Sequence, residues 1–300
     1  TGGVSGLIKL QSGEATAGDS GEIQIASGDA ADSSGAISIT GGVGKGGNGG
    51  ALTLTAGGVT DSTSHEGGDV TISSGSSEKS SSGAITIGSP NAGDTGSAVS
   101  GTITLSTGDG GTDSGGNSGS IILSTGQSTK ASAGNVALSV GVSQLAGSAV
   151  SIIAGDSSTL DGGDVTITGG KALTTSGTQA GGDIVLSSGA SSDTSSGKIE
   201  LVTADGADRS GPATGGVSGL IKLQSGKATS GDSGKIQITT GISELAESGI
   251  ISLSTGEATG TTQDSGALLI GTGKATGSSG AISITGGAGK GGNGGALTLT

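Results

Sequence analysis

The sequence predicts an all-β protein, a narrow parallel β-solenoid (β-helix) of about 19 rungs, each 14–22 residues long and most often 15. Three observations carry that expectation. A short apolar frame recurs along the whole chain, glycine is abundant while Phe, Tyr, Trp, Met and Cys are absent, and long segments are written twice.

The frame opens on a glycine. Counting Gly35 as position zero, Ile37 stands at plus two, Ile39 at plus four and Gly42 at plus seven, and the same arrangement starts again 19 times from Gly6 to Gly295. Ser148 is the one opening residue that is not glycine. Plus two and plus four hold Ile, Val or Leu in all 38 positions, and glycine closes 16 of 18 units at plus seven, with Pro90 and Ala204 as the exceptions. Alternation at period two is the pattern of a strand with one apolar and one polar side. The core ladder expected from it includes Ile8, Leu10, Ile23, Ile25, Ile37, Ile39, Leu52, Leu54, Val70, Ile72, Ile121, Leu123, Ile184, Leu186, Ile236, Ile238, Ile282 and Ile284. Gly6, Gly13, Gly21, Gly28, Gly35 and Gly42 are expected as turn glycines, where the chain reverses. After the closing glycine a small residue recurs, and Ala15, Ala228, Ala258 and Ala275 are expected to face the apolar pair across a thin interior.

Composition excludes the other classes. Gly numbers 69 of 300, which disfavours helix throughout, and two prolines without a three-residue glycine period exclude collagen. Without aromatic residues or Met the chain lacks what fills a thick core. No apolar run approaches the 18 or so residues of a membrane span. Lack of cysteine excludes disulfides and thiolate metal sites. A net charge of -13 argues against nucleic acid and anionic membrane as partners, and favours a self-repelling surface.

Duplication sets the module. Residues 2–26 match 215–239 at 21 of 25 positions, and residues 33–55 match 278–300 at all but one, Val43 against Ala288. Residues 1–300 are expected to form a single continuous solenoid, cut from a longer repeat protein since the chain starts and stops in mid-pattern.

Chemistry is sparse. His65 is the only histidine, which excludes a catalytic triad or a multi-histidine metal site within these residues. The GKGGNGG segments at 44–50 and 289–295 follow a strand pattern, but no helix pattern follows them as a phosphate cradle requires. Asp69, Asp164 and Asp183 stand at plus one, and Asp164 and Asp183, on adjacent rungs, either chelate a hard cation or simply face water. The secreted β-roll motif GGxGxDxUx fails at GGNGGAL, where Gly and Ala replace the acidic ligand. Outward Thr pairs at Thr53/Thr55, Thr166/Thr168 and Thr298/Thr300 suggest ice binding, but Lys9/Gln11, Gln24/Ala26, Glu200/Val202 and Lys222/Gln224 interrupt a flat array. No catalytic residue, cofactor or metal site is expected.

The rhythm GxIxLxTG resembles the Gly/Ser-rich repeats of very large secreted proteins, such as filamentous-haemagglutinin-type bacterial adhesins and the repeat proteins of algal or protist surface hairs and fibrils. That resemblance implies an extracellular, rod-forming, non-enzymatic role. The function expected is therefore a structural subunit of an extracellular filament, with an adhesin stalk or an ice binder as the alternatives. Its partners would be further copies of itself, end to end or laterally, and O-linked glycans on the abundant Ser and Thr.

Overall fold

Among the described residues each repeat begins with a run free of turns and bends, and in seven repeats the loop that follows closes on the next run through a backbone hydrogen bond. A computed structural model describes residues 5–60, 65–94, 97–111, 115–173, 179–206, 216–259, 262–288, 290 and 293–298. Among the described residues there is neither a helix nor a strand, which overturns the expected β-solenoid or β-helix. Extended segments are present, but they do not join into ladders. The physical reason lies in the repeat itself, since two branched side chains per rung offset little of the cost of ordering some fifteen glycine- and serine-rich residues.

No side chain is buried among the described residues. The accessible area is 29388 Å², against about 11,000 Å² for a folded chain of this mass and about 40,000 Å² for an unfolded one. This chain keeps most of its surface in water. It divides into two units, Thr1–Ser148 and Ala149–Thr300, and the boundary falls at the single repeat that opens without glycine.

What seven of the repeats do build, among the described residues, is a bracket at the base of the loop. The opening Gly N–H donates to the closing Gly carbonyl of the preceding repeat at 2.8–3.0 Å, as in Gly50 to Gly42, Gly83 to Gly75, Gly163 to Gly155 and Gly197 to Gly189. Plus six of one repeat lies beside the opening residue of the next. A methyl group built on Gly83 would rest 3.4 Å from Ser74 Cβ, and one on Gly134 3.7 Å from Thr125 Cγ2, which is ordinary contact. Most opening glycines are therefore not demanded by space. Glycine is demanded at plus six where two backbones close directly, because a methyl group on Gly41, Gly169 or Gly286 would collide with the carbonyl oxygen of Gly50, Gly182 or Gly295.

The expected turn glycines behave differently from what their spacing suggests. Positive φ among the described residues occurs only at Gly18 and Gly115, both inside loops. Gly6, Gly13, Gly28 and Gly42 face open space, and Gly21 and Gly35 face Ser12 and Ser27 across the bracket. The chain reverses over a whole loop rather than at one residue.

Candidate functional site

The candidate site is repeated rather than single. It consists of an apolar pair on each run, backed in seven repeats by the bracket. Plus-two side chains are 47–61% exposed from Ile23 to Leu297, whereas Ile8 in the first repeat is 96% exposed. The contrast identifies the cover. Ile184 Cγ1 lies 3.8 Å from a methyl position on Gly169, so plus two leans on plus six of the preceding repeat, and Ile8 has no such neighbour among the described residues. Plus-four side chains are 60–75% exposed, from Ile238 to Leu138. Ile122, Leu145 and Val185, outside the apolar pairs, are more exposed still.

All the residues expected as a core ladder thus stand in the open, in the same regular pattern. Ile121, Ile184, Ile236 and Ile282 are the partly covered members of their pairs, while Leu123, Leu186, Ile238 and Ile284 reach further into solvent. The near-copies confirm that the environment is set locally. Ile37 and Ile282 are 50% and 53% exposed, and Ile39 and Ile284 are both 62%. Of the Thr pairs, Thr53/Thr55 and Thr166/Thr168 are exposed, and Thr300 of the last pair lies outside the described residues.

The least exposed positions are ones the frame underplays. Every half-buried residue, including Ser12, Ala56, Ala92, Ala154, Gly169 and Ala258, stands at plus six or plus nine. Even valine is most sheltered there, with Val140 at plus six and Val59 at plus nine. Of the four alanines expected inward, Ala258 is half-buried while Ala15, Ala228 and Ala275 are exposed. A sequence signal for these positions exists. In all 18 complete repeats both columns hold only Gly, Ala, Ser, Thr or Val, because a longer side chain cannot sit inside the bracket.

Serine at plus nine shapes the loop. The hydroxyls of Ser77, Ser128, Ser143, Ser157, Ser191 and Ser243 each accept a backbone N–H two or three residues further on, at 2.9–3.2 Å for the closest bond in each. These are serine turns, which hold a loop without help from a helix or sheet.

In the larger unit-one loops and runs, Leu54, Val70, Leu105 and Ile121 line an open hollow of about 930 Å³, with Thr104, Ser106, Thr107 and Ser120 completing its wall. Its floor combines plus-two and plus-four residues from four repeats. It holds no charged side chain.

Catalytic groupings are not assembled. No cluster of three or more His, Cys, Asp or Glu able to hold a metal occurs among the described residues, so Asp164 and Asp183 are not joined by a third ligand. His65 is an exposed residue ahead of the fifth repeat. In the GKGGNGG segment at 44–50 the loop closes on itself through Gly50 and Gly42, and no helix follows among the described residues. Residues 289, 291 and 292 of its copy lie outside the described residues. Lys198 and Glu200 form an ion pair at 2.5 Å in the open, where such pairs contribute little. Among the described residues no helix is long and apolar enough to cross a membrane.

No family model, curated protein or solved structure matches the chain.

Proposed function

We propose that this chain is a structural subunit of an extracellular filament or fibril, assembled by association of its copies end to end or laterally. The observation that carries the reading is a branched apolar pair repeated in every rung-length unit and left in solvent by the single chain. Apolar surface presented regularly and uncovered is the ordinary mark of an association surface. The role is mechanical. Each repeat contributes the same short contact, and many weak identical contacts along one chain add up through their effective concentration.

Acidity and hydroxyl content support an extracellular setting. A net charge of -13 keeps separate copies dispersed until apolar contacts outweigh repulsion, and the many exposed Ser and Thr offer sites for O-linked sugar. The test is electron microscopy of the purified chain over a rising concentration series. Filaments of constant width, lengthening with concentration, are the expected result, and dispersed single particles at every concentration would contradict the reading.

A further inference from the structure

The loop written twice, GKGGNGG at 44–50 and 289–295, has a chemistry of its own. We infer that Asn48, with its copy Asn293, is a self-modifying site, at which the amide nitrogen of the following glycine closes on the asparagine side chain and leaves an acidic residue in the loop. The inference concerns the single chain and is independent of the filament reading.

Sequence singles out these two positions. Asn48 precedes Gly49 and Asn293 precedes Gly294, whereas the other three asparagines, Asn91, Asn117 and Asn135, precede Ala, Ser and Val. Asn48 and Asn293 are both exposed, and among the described residues neither the Asn48 carboxamide nor the Gly49 N–H enters a hydrogen bond. Nucleophile and electrophile thus sit on neighbouring residues with nothing engaging either. The loop around them is held by its backbone. Gly50 N–H donates to the Gly42 carbonyl at 2.8 Å, and a methyl group on Gly44 would collide with the carbonyls of Gly47 and Asn48. A methyl group on Gly46 or Gly47 would meet nothing within 4 Å, so no neighbour crowds the residues just before Asn48.

The reaction needs water and no catalytic side chain. Gly49 N gives up its proton and attacks Asn48 Cγ, the Cγ–Nδ2 bond breaks, and the departing amide takes up a proton and leaves as ammonia. The product is a cyclic imide. Water opens it at Cγ to give aspartate, or at the main-chain carbonyl carbon to give isoaspartate, in which the chain runs on through Cγ. Glycine favours the closure because it has no Cβ to obstruct its nitrogen, while the branched Val136 beside Asn135 does obstruct it. Either product adds a negative charge to a loop whose one charged side chain is Lys45, in a chain of net charge -13. Isoaspartate also lengthens the main chain inside the loop that Gly50 and Gly42 close, so the bracket loosens as the chain ages.

The experiment incubates the full chain, unaltered and as Gly49→Ala, at neutral and mildly alkaline pH. Mass spectrometry of tryptic peptides and enzymatic methylation of isoaspartate follow each asparagine, and hydrogen exchange follows the Gly50 amide. Gly49→Ala keeps the loop, since its methyl group would rest 3.6 Å from the Gly42 carbonyl oxygen, an ordinary contact. Asn48 and Asn293 are expected to convert about tenfold or more faster than Asn91, Asn117 and Asn135, and faster in alkali, with Gly49→Ala slowing Asn48 about tenfold or more and leaving Asn293 unchanged. Exchange at the Gly50 amide rises with conversion, while the Gly83 amide, in another bracket, keeps its rate. Conversion of Asn48 no faster than that of Asn91, Asn117 and Asn135, or a rate that Gly49→Ala leaves unchanged, would overturn the site. Conversion without faster exchange at Gly50 would overturn its effect on the bracket.

Discussion

The repeat opening at Gly119 and the repeat opening at Gly182 are nearly the same object. Ile121 and Ile184 are 50% and 52% exposed, and the two runs, GSIILSTG and GDIVLSSG, differ chiefly by Asp183 in place of Ser120. Their loops are built alike as well, with Ser128 and Ser191 each turning the chain through the same hydroxyl contact. Local backbone pattern fixes how far each side chain reaches into water, since a charge beside the pair leaves its exposure unchanged.

The largest expected effect breaks the comparison outright. Adding lysine at plus three of three repeats, as Thr104→Lys, Ile122→Lys and Ala137→Lys together, places charge beside the apolar pairs and raises the concentration for assembly about tenfold or more. Light scattering against concentration measures it.

A smaller effect lies in the bracket. Gly169 precedes the repeat opening at Gly182 and must be glycine, because a methyl group there collides with the Gly182 carbonyl. At the same position in the repeat opening at Gly119 stands Thr125, already a larger side chain. Gly169→Ala opens its bracket by about 1 kcal/mol or more, seen as faster hydrogen exchange at the Gly182 amide, whereas Thr125→Ala leaves exchange at the Gly134 amide unchanged, since that amide makes no bracket bond.

Neutralising two charged repeats sharpens the comparison from the other side. Asp164→Asn with Asp183→Asn lowers the assembly concentration by roughly two- to fivefold at low salt, and the gain shrinks at about 0.15 M salt, where charges are screened beyond about 8 Å. Sedimentation at two ionic strengths reads this directly. The smallest effect concerns the serine turns. Ser128→Ala and Ser191→Ala each cost about 0.5 to 1.5 kcal/mol of local loop order, equal in the two repeats, which amide exchange within each loop measures.

Much of this was legible from residue order, and some was not. The Gly35, Ile37, Ile39, Gly42 spacing marks extended runs with one apolar side, and the structure keeps that side distinct in its exposure. The ladder expected between runs is missing among the described residues, because period-two alternation reports which side of a run is apolar and says nothing of what pairs with its backbone. The bracket is more instructive. Its positions at plus six and plus nine carry no hydrophobic signal, only a ceiling on size, so a reading that ranks residues by apolarity passes over Ser12, Ala154 and Gly169. The small residue that recurs after the closing glycine marks Ala258, while Ala15 and Ala228, of the same type at the same offset, stay exposed.

Hydrogen exchange resolved by segment, measured on the full chain before and after it assembles, tests the central claim most directly. Amides of the apolar runs, such as 119–126 and 182–189, are expected to gain protection on assembly while those of the loops between runs exchange as they do in the single chain. No gain of protection in the runs, or a gain confined to the loops, would contradict the reading.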